Sequence, residues 1–319
     1  GLQKHTLMNN ILITGGAGFI GSKFVEHIYN TTKYHITVLD KLTYAADSDR
    51  IPKHIKEDER RFNLVVCDIC DITADDLPSL TYIVNFAAES HVDNSIQDGR
   101  PFVRSNIEGV YNLLEVAKKQ DKQTFRKFVQ VSTDEVYGDM EDLRGSPDAT
   151  ESFSLRPSSA YSATKASAEM LVLAAHRTFN LPYLITRCCN NFGADQHAEK
   201  FLPTVFEAMR NNRPIPVYGD GLQIREWIHV ADHVSIMANL MHSSYQSETY
   251  NIGSGFSYTN LEVIEKISEE LGIPANIEYV PDRLGHDRKY ALDCKKLKAY
   301  GGDRIFEPLE NFLKRESRN

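Results

Sequence analysis

Short apolar runs and amphipathic stretches alternate from the start of the chain. Asn10–Thr14 and His35–Leu39 are apolar runs, and the helix-like stretch Ser22–Tyr29 lies between them. A short apolar run bounded by turn residues is typical of a buried strand, whereas apolar positions three and four residues apart indicate a helix. The pattern therefore predicts a β-α-β unit at the beginning of the protein.

The same alternation continues to about residue 190. Strands that are apolar throughout, rather than at every second position, are buried on both faces, which is typical of a parallel sheet covered by helices. We therefore expect an α/β fold with a doubly wound parallel sheet. Further strands are predicted at Asn63–Val66, Tyr82–Phe86, Phe128–Ser132 and Tyr183–Arg187, with helices at Ile107–Lys119 and Ala163–Thr178.

Beyond Asn190 the segments become shorter and are interrupted by prolines and glycines, among them Pro203, Pro214 and Gly219. Such interruptions indicate loops and turns between small elements. We expect one domain over residues 8–190 and a smaller C-terminal lobe over residues 191–319, with some segments of the lobe returning to the first domain. Helices in the lobe are predicted at Leu202–Arg210, Val230–Ser243 and Asn260–Leu271.

Composition and charge narrow the class of protein. Of 319 residues, 41% are hydrophobic and 25% charged, which is ordinary for a globular protein and excludes a disordered or fibrous chain. The net charge of −8 disfavours nucleic acid as a partner. No apolar run approaches the ~20 residues of a membrane span, and the first ten residues lack the pattern of a secretion signal. A cytoplasmic protein is expected.

Cysteine spacing indicates neither a disulfide framework nor a metal site. The five cysteines are an odd number, and Cys67 and Cys70 have no second cysteine or histidine pair at the spacing that zinc sites use. We therefore expect reduced thiols and no bound metal.

A glycine-rich motif, Gly15–Gly21, joins the first predicted strand to the first helix. Glycines at positions 15, 18 and 21 permit a tight turn, close approach of the backbone to a pyrophosphate and close packing of the helix on the sheet. The second strand ends at Asp40, where a carboxylate accepts hydrogen bonds from a ribose and repels a 2′-phosphate. The motif predicts a Rossmann-type fold that binds NAD rather than NADP.

Two groups of polar residues carry candidate chemistry. Thr133, Asp134 and Glu135 follow the predicted strand Phe128–Ser132, at the strand end where open α/β sheets bind ligands.

Tyr161 and Lys165 lie four residues apart and thus on one face of a helix. A tyrosine, whose pKa is ordinarily about 10, needs a nearby cation to act as a base at neutral pH, and Lys165 can supply one.

These features together resemble the extended short-chain dehydrogenase/reductases. Longer segments narrow the resemblance to the dTDP-glucose 4,6-dehydratases, over about residues 11 to 291. The segments are Phe86–Ser95, Val131–Gly138, Arg187–Gly193, Tyr218–His233, Tyr250–Gly255 and Asp282–Ala291.

The resemblance implies an NAD-dependent hydro-lyase that converts dTDP-glucose to a 4-keto-6-deoxy sugar. Oxidation at C4 makes the C5 hydrogen acidic, water is then lost across C5 and C6, and hydride returns to C6. Tyr161, with Lys165 and Thr133, would take the proton of the 4-hydroxyl. Glu135 would remove the C5 proton, and Asp134 would protonate the departing 6-hydroxyl.

The resemblance also implies binding residues and a homodimer, formed through the helices Ile107–Lys119 and Ala163–Thr178. NAD is expected to contact Gly15, Gly18, Phe19, Ile20, Gly21, Asp40, Lys41, Leu42, Thr43, Asp68, Ile69, Phe86, Ala87, Ala88, Glu89, Ser105, Tyr161, Lys165 and Asn191. The nucleotide-sugar substrate is expected to contact Ser90, Thr133, Asn190, Lys200, Phe201, Pro216, Val217, Tyr218, Arg225, Asn260, Asp282, Arg283, Leu284, Gly285 and His286.

Other activities on the same fold stay open from the sequence. A 4,6-dehydratase of a UDP-hexose or UDP-N-acetylhexosamine would need the same residues. A UDP-sugar 4-epimerase or decarboxylase would share the glycine motif and the Tyr161/Lys165 pair, but neither needs Asp134 and Glu135 to eliminate water. A non-catalytic NAD sensor is the alternative from a different class, because a fold does not fix a function.

Overall fold

A seven-stranded parallel sheet forms the centre of the protein. The computed structural model describes residues 8–42, 47–86, 96–143, 148–243 and 247–319. The strands are β1 (Asn10–Thr14), β2 (His35–Asp40), β3 (Phe62–Val66), β4 (Tyr82–Asn85), β5 (Lys127–Thr133), β6 (Tyr183–Cys188), β7 (Asn190–Phe192), β8 (Ile215–Tyr218), β9 (Ile224–His229), β10 (Glu248–Ile252), β11 (Ser257–Thr259) and β12 (Ile277–Val280).

Helices connect these strands. Those of the sheet domain are α1 (Phe19–Thr31), α2 (Lys53–Lys56), α3 (Arg100–Val103), α4 (Gly109–Lys118) and α5 (Ala160–Phe179). Those after residue 200 are α6 (Phe201–Arg210), α7 (Val230–His242), α8 (Asn260–Leu271), α9 (Lys295–Gly301) and α10 (Leu309–Glu316).

The strand order in the central sheet is β10-β6-β5-β4-β1-β2-β3. The chain builds outward from β1 in one direction and then, from β4, in the other. The carboxyl ends of β1 and β4 therefore flank the point at which the strand order reverses, where doubly wound sheets bind ligands. The predicted parallel α/β fold is confirmed.

Apolar side chains cover both faces of this sheet. One buried cluster includes Ile13, Phe24 and Val38, and the cluster on the opposite face includes Leu12 and Phe128. Neighbouring residues of β1 thus point to opposite faces, which explains why this strand is apolar at every central position.

One predicted helix begins differently from the pattern. We expected a helix from Ile107, and the structure has a π-helical turn, Arg104–Glu108, that leads into α4. In this turn Ser105 and Asn106 are buried, and Asn106 Nδ2 donates to Thr164 Oγ1 of α5 at 3.0 Å. Irregular turns of this kind are frequent at functional sites.

The residues after 190 form small sheets and one strand of the large sheet. Strands β7 and β9 are parallel, β9 and β11 are antiparallel, and β8 pairs with β12. Strand β10 pairs with β6 in the central sheet. The division of the chain into domains at residue 190 stays a prediction.

The described residues contain neither a membrane-spanning helix nor a candidate metal site. No helix among them is long and apolar enough to cross a membrane. Within the same residues, no group of three or more histidine, cysteine or acidic side chains is arranged to hold a metal ion.

Candidate active site

A cavity of about 470 Å³ opens at the carboxyl ends of the central strands. Residues of both the central sheet and the lobe line it, including Gly15 after β1, Asp40 at the end of β2, Thr133 at the end of β5, and Arg225 of β9. Segments that are far apart in the sequence therefore meet at one wall of a single cleft. This is the position in which an α/β sheet binds a ligand.

The glycine motif forms the floor of one end of this cavity. Gly15 has a φ of 71°, a backbone conformation that residues with a Cβ rarely adopt. A Cβ at Gly21 would lie 2.2 Å from the carbonyl oxygen of Gly15, so only glycine permits this close approach. Gly18 is the N-cap residue of α1, and because it has no side chain it cannot cap the first N–H groups of the helix. The first N–H groups of α1 are therefore suited to an anion such as a pyrophosphate.

Asp40 is held rigidly at the end of β2. Its carboxylate accepts hydrogen bonds from the backbone N–H groups of Ala17, at 3.0 Å, and Leu42, at 2.8 Å. These bonds tie the end of β2 to the glycine motif, and the carboxylate lines the cavity. The open helix terminus, the glycine cradle and this carboxylate fit a dinucleotide with free ribose hydroxyls.

We expect Gly21→Ala to weaken dinucleotide binding and to destabilise the fold. The added methyl group would overlap the carbonyl of Gly15, and overpacking of this kind costs about 1–3 kcal/mol. Calorimetric titration with NAD and a thermal melt would measure both effects. Gly301→Ala is the matched control, because no atom lies within 4 Å of its added Cβ. Equal NAD affinity in the two variants would contradict the assignment of Gly21.

Helix α5 places Tyr161 and Lys165 on the cavity wall. Its N-cap, Ser159, accepts a hydrogen bond from the N–H of Ser162 in a capping box, which fixes where the helix begins. Tyr161 lies in the first turn, with its ring edge-on to Phe102 at 6.1 Å between centroids. The predicted pairing on one helical face is present.

Burial acts on both members of this pair. It raises the pKa of Tyr161 well above its usual value, and the charges of Glu135 and Asp134 raise it further. Burial lowers the pKa of Lys165 to about 8, so Lys165 is still protonated at neutral pH. The Lys165 ammonium donates a hydrogen bond to the carbonyl of Val131 in β5 at 2.7 Å. The protein's own residues thus supply a cation but leave Tyr161 protonated.

The two acidic residues after β5 have different environments. Burial, and then the charge of Glu135, raises the pKa of Asp134 well above its ordinary value. Burial also raises the pKa of Glu135, but a hydrogen bond from Thr133 and the charge of Arg225 oppose the rise. The Thr133 hydroxyl donates to Glu135 Oε2 at 3.1 Å. The hydrogen bond from Thr133 and the charge of Arg225 favour ionisation of Glu135, whereas the charge of Glu135 opposes ionisation of Asp134.

Two arginines face the lobe side of the cavity. The guanidinium of Arg225 lies 4.4 Å from the centre of the Tyr290 ring and donates to the carbonyl of Asp287 at 2.8 Å. That of Arg283 lies 4.6 Å from the centre of the Tyr218 ring. An arginine stacked on a ring keeps its charge in a fixed position, and its planar fork suits a diphosphate.

Aromatic rings also face this end of the cavity. Phe201, the first residue of α6, stacks on Trp227 of β9 with 6.3 Å between ring centroids, and both line the cavity. A flat apolar surface beside two arginines is suited to a nucleoside diphosphate.

The structure brings most of the predicted site residues to one cavity. Those that line it are Gly15, Gly18, Phe19, Ile20, Gly21, Asp40, Lys41, Asp68, Ile69, Phe86, Ser105, Thr133, Glu135, Tyr161, Lys165, Asn190, Asn191, Lys200, Phe201, Arg225, Arg283, Leu284, Gly285 and His286. Those described but not on its wall are Leu42, Asp134, Pro216, Val217, Tyr218, Asn260 and Asp282. Thr43, Ala87, Ala88, Glu89 and Ser90 lie outside the described residues.

The residues behind the wall support those on it. Asp134 is buried beside Glu135, and Tyr218 lies under Arg283. Asn260 Nδ2 donates to Gln223 Oε1 at 3.3 Å, which joins α8 to the chain before β9. The binding roles of the predicted residues remain proposals.

A buried cluster at the end of β6 was not predicted from the sequence. Cys188 and His233 both line the cavity, and the side chain of Asn191 bridges them. Asn191 Nδ2 lies 3.6 Å from Cys188 Sγ, and Asn191 Oδ1 lies 2.9 Å from His233 Nδ1. Burial by itself would raise the pKa of the Cys188 thiol, but hydrogen bonding by Cys189 and the charge of His233 lower it. The proximity of α7 to β6 could not be predicted from spacing.

Comparisons with known proteins agree with this geometry. The NAD dependent epimerase/dehydratase family matches residues 11–253. The low-salt glycan biosynthesis protein Agl12 of Haloferax volcanii is 44% identical, over 92% of each chain. The dTDP-glucose 4,6-dehydratase of Haemophilus influenzae is 43% identical, again over 92% of each chain. A crystal structure of DesIV, a dTDP-glucose 4,6-dehydratase from Streptomyces venezuelae with NAD and TYD bound, has a TM-score of 0.89 at 38% identity, over 97% of this chain and 96% of that chain.

Proposed function

Because the chain belongs to the NAD-dependent epimerase/dehydratase family, we propose that it is a hydro-lyase that dehydrates dTDP-glucose to dTDP-4-keto-6-deoxy-glucose with NAD as cofactor. Two relatives that cover most of the chain at about 40% identity carry the activity dTDP-glucose 4,6-dehydratase in their names. The proposed substrate and reaction follow from these relatives together with the chemistry of the cavity.

The observation that carries the proposal is the acidic pair beside the Tyr161/Lys165 pair. We call Tyr161 and Lys165 the redox pair, and Asp134 and Glu135 the elimination pair. Oxidation of a hydroxyl requires only a redox pair, whereas loss of water also requires a base for the C5 proton and an acid for the leaving hydroxyl. Glu135 and both members of the redox pair line one cavity, Asp134 is buried next to Glu135, and the Thr133 hydroxyl donates a hydrogen bond to Glu135.

Each residue has a defined proton to move. NAD, when bound, supplies a positively charged hydride acceptor that takes the hydride from C4 and returns it to C6. Tyr161 would take the proton of the 4-hydroxyl as a phenolate, which needs the positive charge of bound NAD in addition to the cation of Lys165. Glu135 removes the C5 proton and returns a proton to C5 when the hydride adds to C6. Asp134, whose pKa burial raises, protonates the departing 6-hydroxyl.

Discrimination between nucleotide sugars tests the proposal directly. Purified protein with NAD would be incubated separately with dTDP-glucose, UDP-glucose and UDP-N-acetylglucosamine, and loss of one water followed by mass spectrometry. We expect selective loss of water from dTDP-glucose. Loss from a UDP sugar instead would keep the mechanism but replace the substrate. No loss with any of them would contradict the dehydratase proposal and favour an epimerase, a decarboxylase or a cofactor sensor.

We also propose that the protein is a homodimer formed through α4 and α5. Apolar side chains on these helices and on the neighbouring α3 are exposed in the single chain, including Tyr111 (57% exposed), Met170 (49%) and Val103 (42%). Exposed apolar groups concentrated on adjacent elements are typical of a subunit interface. Contact between two copies of the chain through this surface would bury these apolar side chains away from water.

Met170→Glu should therefore dissociate the dimer. A carboxylate placed in an apolar interface loses its hydration without gaining a partner. Sedimentation velocity over a concentration series would show a dimer for the unmodified protein and a monomer for the variant. Tyr279→Glu, at an exposed position of β12 outside these helices, is the control. A monomeric unmodified protein at all concentrations would exclude the dimer.

A cytoplasmic location follows from the same proposal, because NAD and nucleotide sugars are ligands of that compartment. The described cysteines, all of them free thiols, are compatible with it. Fractionation of the source cells with an antibody against the protein would test it.

A further inference from the structure

Helix α5 carries a third polar residue on the face of the redox pair. Tyr161, Lys165 and Glu169 follow one another at four-residue spacing, which places them in a row along the helix. Glu169 is fully buried, beyond the cavity wall. A carboxylate in this position is costly unless it is paired and fully hydrogen-bonded.

Glu169 makes such bonds with residues of two strands, β5 and β6. Arg187 of β6 donates to Glu169 Oε1 from Nε at 3.0 Å and from Nη2 at 2.6 Å. Ser132 of β5 donates from its hydroxyl to Oε2 at 2.5 Å. Both carboxylate oxygens are therefore occupied, and the ion pair is buried, with side chains 5% and 0% exposed for Arg187 and Glu169. Helix α5 is thereby fixed against both strands.

Arg187 also binds a residue that follows the elimination pair in the chain. Arg187 Nη1 donates to the hydroxyl oxygen of Tyr137 at 2.9 Å, and the Tyr137 hydroxyl donates to Asn251 Oδ1 of β10 at 2.6 Å. Ser132 and Tyr137 are the residues that flank the segment 133–136, which contains the elimination pair. The ion pair therefore holds this segment on both sides.

We propose that the buried Glu169–Arg187 ion pair is a positioning device that sets the redox pair against the elimination pair and supports the cation of Lys165. The inference rests on the proposed dehydratase function, since only a reaction that uses both pairs in succession on one sugar requires their separation to be fixed. Neither Glu169 nor its carboxylate hydrogen bonds take part in a proton transfer.

The charge of Glu169 has a second consequence, for Lys165. Of the described groups that face Lys165, Glu169 on α5 and Glu135 in the turn after β5 favour its protonated form, and burial opposes it. Tyr161 lies one turn away and Val131 of β5 offers a neutral carbonyl. Removal of the Glu169 charge therefore lowers the pKa of Lys165 below about 8, so the cation is lost at a lower pH.

Glu169→Gln tests the charge with little change of shape. We expect kcat for dTDP-glucose dehydration to fall by about 10- to 100-fold, because small displacements of reacting groups have effects of this size. KM should change little, since the arginines and aromatic rings of the lobe do not contact Glu169. The alkaline limb of the kcat–pH profile should move to lower pH. A purely structural role would not move that limb.

A double variant keeps the test valid if Glu169→Gln does not fold with Arg187 left unpaired. Glu169→Leu/Arg187→Met removes both charges, and apolar replacement of a buried pair is often neutral for stability. We expect this variant to melt near the unmodified protein and to bind NAD, yet to keep the low kcat and the shifted alkaline limb. A folded double variant with normal kcat and an unshifted limb would overturn the proposal.

The control separates this inference from the proposed function. Glu310 is a carboxylate held by Tyr258, at 2.6 Å, and Lys266, at 3.1 Å, away from the cavity wall. Glu310→Gln should leave both kcat and the pH profile unchanged. If the unmodified protein dehydrates no nucleotide sugar, the proposed function is contradicted. If the unmodified protein is active and the variants that lack Glu169 have the same kcat and pH profile, only the positioning role is contradicted.

Discussion

Tyr161→Phe should abolish oxidation at C4 and with it the whole reaction. Without the phenol, the group assigned to take the proton of the 4-hydroxyl as hydride leaves is missing, and loss of a general base lowers rates by about 10²- to 10⁴-fold. Phenylalanine preserves the ring that packs edge-on against Phe102. Rapid-mixing absorbance should show no reduced nicotinamide, and mass spectrometry should show no dehydrated product.

The matched control is Tyr279→Phe. Tyr279 lies on β12 with its ring exposed, and it does not line the cavity. We expect full activity from this variant and unchanged NAD affinity from both. If reduced cofactor still formed at the normal rate in Tyr161→Phe, another group would be the base and the redox pair would lose its assignment.

Glu135→Gln should block the second step of the reaction, the loss of water, and leave the first step, oxidation at C4, intact. The amide keeps an oxygen that can accept the hydrogen bond from Thr133, which Glu135 Oε2 accepts at 3.1 Å, but it cannot remove the C5 proton. Loss of water should fall by about 10²- to 10⁴-fold, as for any lost general base. Oxidation at C4 should persist, so reduced cofactor should accumulate instead of appearing only briefly.

Solvent exchange gives an independent measure of the same step. In deuterated water, the unmodified protein should introduce deuterium at C5 of the product, because C6 receives the hydride from C4, whereas Glu135→Gln should return unlabelled substrate. Glu57→Gln removes an exposed carboxylate after α2 and should behave like the unmodified protein. Undiminished loss of water in Glu135→Gln would remove this residue from the role of base.

The sequence was sufficient for the features that depend on near neighbours in the chain. Mostly apolar runs predicted β1 to β6, because a strand buried on both faces is apolar at most of its positions. The edge strand β3 is only partly buried, with Asn63 and Val66 exposed. The glycine motif predicted close packing at the start of the first helix, and a Cβ on Gly21 would indeed lie 2.2 Å from the carbonyl oxygen of Gly15. The four-residue spacing of the redox pair predicted a shared face, since helical geometry alone determines it.

The tertiary structure decided which distant segments meet and what burial does to them. Arg187 pairs with Glu169, and β10 joins the central sheet, although nothing in the local pattern indicates either partner. Burial raises the pKa of Asp134 and of Glu135, and the charges that oppose or add to this rise come from residues distant in the chain, such as Arg225. Residue types and spacing therefore determined the candidate chemistry of this protein, while long-range packing determined the geometry and the protonation with which that chemistry can proceed.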